Sequence, residues 1–119
     1  MAARRDLAAA AAREAPLFAA LGDTTRLRLV GRLVSEGPLS ITRLTGGAGV
    51  TRQAITKHLR ALEGAGVVRS ARSGREVVWQ LEPRRLRDAQ ALLDRISAQW
   101  DAALERLRDL VEDEGERRR

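Results

Sequence analysis

With 119 residues the chain has room for one ordinary domain and not for two. Its 32% charged and 44% hydrophobic residues fit a soluble folded protein, with a formal net charge of +6. The absence of cysteine excludes disulfides, thiol chemistry and thiolate-bound metal, and a single histidine, His58, excludes a histidine-rich metal site within one chain.

The elements follow in chain order. Ala8–Ala12 has the highest helix propensity available. With Leu7, Leu17, Phe18 and Leu21 it reads as a first helix, broken or kinked near Pro16 and ended by Gly22. The preceding Arg4-Arg5 does not make a secretory or twin-arginine signal, because Asp6, Arg13 and Glu14 interrupt the apolar run. No segment approaches the ~18 apolar residues of a membrane span, so a cytoplasmic location without membrane contact is expected. Asp23 is placed to cap a second helix from Thr24 to Ser35, with Leu27, Val30, Leu33 and Val34 at helical spacing. Gly37-Pro38 stops it.

Ser40 then caps a short helix, Ile41 to Thr45, and Gly46-Gly47-Ala48-Gly49 forms the turn after it. Thr51 opens a fourth helix that runs to about Gly64, where Gly64 and Gly66 act as stop signals. Two short helices around a glycine-bearing turn make a helix-turn-helix over residues 40–65. Val67–Ser73 and Glu76–Leu81 favour strands, and Gly74 supplies the positive φ of a hairpin turn, giving a wing over residues 67–81. Pro83 begins a last helix over residues 83–113. The expected fold is mainly α with a small β-hairpin wing (α+β): four helices, two strands and a fifth helix. Residues 1–114 make a single winged helix-turn-helix domain, and the charged tail, residues 115–119, is expected to be disordered.

The charge is unevenly spread. Residues 51–87 hold nine basic and three acidic side chains, while the rest of the chain is neutral with thirteen of each. A positive excess confined to one unit points to a polyanion, here duplex DNA. On the fourth helix Ile55, Leu59 and Leu62 line the inward face, leaving Gln53, Lys57 and Arg60 outward, Thr56 on the flank, and Thr51 and Arg52 at the N-terminal end. That end of a recognition helix enters the major groove. There Gln pairs bidentately with adenine and Arg with guanine, and Lys57 and Arg60 are better placed for phosphate. Arg72 and Arg75 flank the hairpin turn, where arginines reach the minor groove or hold phosphate. His58 falls at the edge of the buried face and is expected to pack there.

In the last helix Leu86, Ala89, Leu93, Ile96, Trp100, Ala103, Leu107 and Leu110 alternate three and four apart, a coiled-coil seam widened by Leu92, Leu104 and Val111. From residue 86 to 113 such a helix spans ~42 Å, longer than a small winged domain covers. Leu86, Leu93, Ile96, Trp100, Leu107 and Leu110 are therefore expected in a homodimer interface, together with the first helix.

The stretches LFAALGDTTRLRLV and PLSITRLTGGAGVTRQAITKHLRALEGAGVVRSARSGREVVWQL resemble the arsenical-resistance-repressor (ArsR) family of winged-helix regulators, over roughly residues 15–111. The resemblance implies a homodimeric repressor of imperfect palindromes, with DNA contacts by Thr51, Arg52, Gln53, Thr56 and Lys57 and a wing at Arg72 and Arg75. The chain departs from the metal-sensing branches. Ser40-Ile41-Thr42-Arg43-Leu44 stands where one branch has its cysteine motif, and the last helix lacks the Asp/His ligand set of the zinc-sensing branch. Asp88, Asp94 and Asp101 are expected to be solvated, so no metal site and no cofactor are expected. Two other readings stay open: a winged-helix module whose basic face meets an acidic protein, and a carboxylate-based metal-responsive repressor. Catalysis has no support, since His58 has no Cys or Ser partner and no phosphate-cradling glycine motif occurs.

Overall fold

A computed structural model describes residues 2–47 and 49–117, with side chains from residue 6 onward. The first helix, α1 (Ala2–Leu21), runs unbroken through Pro16, contrary to the expected break. Proline removes one amide donor and costs ~3 kcal/mol inside a helix. The alanine-rich flank and the burial of Ala10, Glu14, Leu17 and Ala20 on one side offset that cost. Pro16 itself is exposed. Pro16→Ala should therefore stabilise the fold by up to ~3 kcal/mol, read as a higher midpoint of thermal unfolding in far-UV circular dichroism.

Helix α2 (Thr24–Glu36) begins where the Asp23 carboxylate accepts from the Arg26 amide at 3.0 Å. That bond is the main cause holding Asp23 below its ordinary pKa, with the charges of Arg26 and His58 adding to it. Leu29 and Leu33 are the buried residues of α2, and Val30 packs beside them. Leu27 and Val34, expected in the same inward repeat, are 52% and 67% exposed. The helix carries apolar residues on two faces, and only the one with Leu29, Val30 and Leu33 meets the core. Gly37, at φ 80°, ends it.

A strand that sequence periodicity could not reveal, β1 (Leu39–Ser40), leads into α3 (Ile41–Thr45). Ser40 caps α3, its hydroxyl accepting from the Arg43 amide at 3.2 Å. Ala48, in the turn that follows, lies outside the described residues. Helix α4 (Arg52–Gly64) starts at Thr51, whose hydroxyl accepts from the Ala54 amide at 3.1 Å, and it buries Ile55, Leu59 and Leu62.

Strands β2 (Val68–Ser73) and β3 (Glu76–Leu81) are antiparallel, with Ser73 facing Glu76 across the two-residue loop Gly74-Arg75. Gly74, at φ 63°, takes the first loop position, where a type II′ turn requires glycine. β1 pairs with the other edge of β3, giving the order β1-β3-β2. Trp79 of β3 is buried opposite Leu39 and Ser70 and joins the single core cluster drawn from α1 to α5.

The last helix, α5 (Pro83–Arg117), starts one residue after β3 and has 35 residues. It passes the expected end near residue 113, so residues 115–117 are helical and not a disordered tail; Arg118 and Arg119 lie outside the described residues. Gly115 weakens a helix by ~1 kcal/mol relative to Ala, yet its φ is not positive and no proline follows to force a stop. The radius of gyration is 20.5 Å, against ~13.5 Å for a compact domain of this length. The principal extents of 75 × 31 × 20 Å give the cause. α5 is ~52 Å long, and its buried residues are Ala89 and Leu92, close to its start.

Candidate nucleic-acid interface

Packing Ile55, Leu59 and Leu62 inward turns the opposite side of α4 to solvent. Arg52, Gln53 and Lys57 are exposed there, and among the described residues their side chains make no hydrogen bond or ion pair. Thr51 is exposed at the helix start, with its oxygen engaged as the cap. Thr56 is half-buried and donates its hydroxyl to the Arg52 carbonyl at 2.9 Å. In the wing, Arg72 lies on β2 opposite Val77 and Arg75 is the second loop residue; both are exposed.

Arg60 is arranged differently from the other four basic residues expected at DNA. Its guanidinium donates to Glu63 at 2.9 Å and sits 5.2 Å from the centroid of the Trp79 ring, a cation–π distance. The second Glu63 oxygen accepts from the Ser70 hydroxyl at 2.9 Å. Arg60, Glu63, Ser70 and Trp79 thus tie α4 to the wing. The i,i+3 pairing of Arg60 with Glu63 was readable in the sequence, but the ring beneath it was not. These two hydrogen bonds, Arg60 first, hold the Glu63 carboxyl below its ordinary pKa. A carboxylate lowered in the folded state stabilises above its unfolded pKa, and that contribution vanishes as pH falls through the folded value. Glu63→Gln should therefore destabilise at neutral pH by ~0.2–1 kcal/mol, a range appropriate to a pair this open to solvent. The difference from the parent should disappear in melts recorded below the carboxylate range.

His58 sits at the α4 boundary as expected, its Nδ1 3.5 Å from an Arg26 nitrogen and 3.9 Å from the Asp23 carboxylate. Among the described residues no group of three or more His, Cys, Asp or Glu side chains gathers in one place. No described helix is long and apolar enough to cross a membrane.

The seam on α5 divides in two. Leu86 is half-buried and packs against this chain's own core. It lies within the first turns of α5, where the helix still rests on the body of the domain. Leu93, Ile96, Trp100, Leu107 and Leu110 are exposed, Trp100 at 65%, and Leu104 and Val111 lie exposed beside them.

A capped helix with an open basic face, following a short helix and followed by an arginine-tipped hairpin, is the winged helix-turn-helix of a DNA-binding transcription regulator. Residues 21–71 match the model of a helix-turn-helix domain family. The chain is 36% identical over 97 residues to the HTH-type transcriptional regulator Rv2034 of Mycobacterium tuberculosis, covering 82% of this chain and 87% of that one. Its structure is similar to that of an ArsR-like transcriptional regulator from Rhodococcus sp. RHA1, with 36% identity, a TM-score of 0.72, and coverage of 83% of this chain and 92% of that chain. The chain belongs to the ArsR family of winged helix-turn-helix transcriptional regulators. A homodimeric winged helix-turn-helix DNA-binding domain from Mycobacterium bovis shares the fold at 22% identity and a TM-score of 0.60, covering 77% of this chain and 84% of that one.

Proposed function

We infer that this regulator is a repressor that binds an inverted repeat in duplex DNA as a homodimer. The observation that carries the reading is the unsupported length of α5. Leaving Leu93, Ile96, Trp100, Leu107 and Leu110 in water forgoes ~1.5–3 kcal/mol for each large side chain that a partner would bury. A second copy of the same seam covers them by symmetry, and the related M. bovis domain is homodimeric.

Pairing along α5 presents two α4 helices to successive major grooves, ~34 Å apart on one side of the duplex. Arg52 and Gln53, at the leading end of α4, read base edges, guanine and adenine respectively. Lys57, Arg72 and Arg75 neutralise phosphates, Thr51 and Thr56 lie along the backbone, and Arg60 braces α4 against the wing. A protein so placed over a promoter excludes polymerase, which makes repression the expected outcome.

The test is selection of duplexes from a random pool by the purified protein. An inverted repeat with half-sites about one turn apart should emerge, and a reporter driven through it should rise when the regulator is deleted. A pool that stays unenriched above non-specific binding sinks the reading.

A further inference from the structure

Between α1 and α5 lies a cleft of about 550 Å³ lined by Ala10, Arg13, Glu14, Arg85, Asp88, Ala91, Leu92 and Arg95. Its volume falls in the range of small-molecule sites, ~300–1,000 Å³. Three guanidinium groups border it against two carboxylates, and Ala10 and Leu92 give it a buried apolar floor. Glu14 is only 7% exposed and bonds to Arg85, a partner 71 positions away in the chain.

Arg85 is fixed in place before any ligand arrives. One nitrogen holds Glu14, and another donates to the Arg13 carbonyl at 3.3 Å. Its stem lies against Gly66, where an added Cβ would meet the Arg85 carbons at 3.3 Å. Arg95, about 15 Å further along α5, reaches the Asp6 carbonyl at 3.5 Å. A preset cation beside an apolar floor suits a ligand with one carboxylate head and a short apolar body. Such a head forms the bidentate fork that arginine favours.

We propose that this cleft is a binding site for small amphipathic carboxylates, in which the ligand head displaces Glu14 from Arg85 and Arg13 closes on it. Glu14 is then an internal counter-ion, the chain's own stand-in for the ligand. Because the Arg85 stem rests on Gly66, just past α4, occupancy is registered at the end of the recognition helix.

The test needs no DNA, so it stands or fails apart from the operator reading. Benzoate, 4-phenylbutyrate and octanoate are titrated against the intact protein by thermal shift and calorimetry, with the matching primary amides as uncharged controls. Glu14→Gln keeps a hydrogen bond to Arg85 and removes the nearer competing charge, leaving Asp88 at 3.8 Å, so it should bind the acids at least tenfold more tightly than the parent. Arg13→Met, at an exposed position, should bind them more weakly, and the amides should give no saturable response. Acids that leave both the parent and Glu14→Gln unshifted overturn the site. So do amides that act as well as acids, or a Glu14→Gln variant that binds no more tightly than the parent.

Discussion

Trp100→Asp should convert the protein from dimer to monomer and lower its affinity for an inverted repeat by about 10²- to 10⁴-fold. Trp100 is 65% exposed in the single chain, so the aspartate costs the monomer fold almost nothing. Across a two-fold seam the same position loses two indole rings and gains two carboxylates facing each other in an apolar setting. The DNA penalty follows from linkage: the second half-site is bound intramolecularly at millimolar effective concentration only while the copies are joined. Sedimentation equilibrium and fluorescence anisotropy on one duplex measure both effects, and circular dichroism should be unchanged per residue. A variant that remains dimeric with full affinity places the interface elsewhere.

Removing Arg52 and Gln53 should erase sequence preference while leaving general DNA affinity largely in place. Each bidentate base contact discriminates by ~1–3 kcal/mol, roughly 5- to 150-fold. Arg52→Ala with Gln53→Ala should therefore bring the operator-to-random affinity ratio close to one. Arg72→Ala should act in the opposite way, weakening every duplex alike and lowering the salt slope by ~0.9 for each phosphate that is no longer neutralised. Titrations of operator and scrambled duplex at several salt concentrations separate the two behaviours. Equal loss of both affinities in the Arg52/Gln53 variant would mean that α4 does not read bases.

Much of this arrangement could be read from local rules. Asp23, Ser40 and Thr51 announce three helix starts because a side-chain oxygen at that position satisfies an otherwise unpaired amide. Ile55, Leu59 and Leu62 fix the orientation of α4, which in turn exposes Arg52, Gln53 and Lys57. Other features depend on tertiary neighbours. β1 is too short for any periodicity and exists because Leu39 pairs with Trp79. Leu27 and Val34 obey a helical repeat as well as Leu29 does, and only the position of the core decides between the two faces. Arg60 also lies over an aromatic ring because β3 brings Trp79 beneath it, a proximity absent from the linear spacing. The Glu14–Arg85 pair spans 71 positions and carries no local signal at all.

Only Glu82 separates the wing from α5, and it is itself pinned, its amide donating to the Val67 carbonyl at 2.9 Å and its carboxylate held by Arg69 at 3.3 Å. The joint is therefore short and tethered twice, which couples α5 to the wing. A tilt of ~5° about a pivot ~30 Å along a helix of this length swings its first turn, to which the wing is joined, by about 2.6 Å. That displacement rivals a hydrogen-bond length. A tilt imposed at the far end of the helix would therefore be felt at the wing without any rearrangement inside the winged domain.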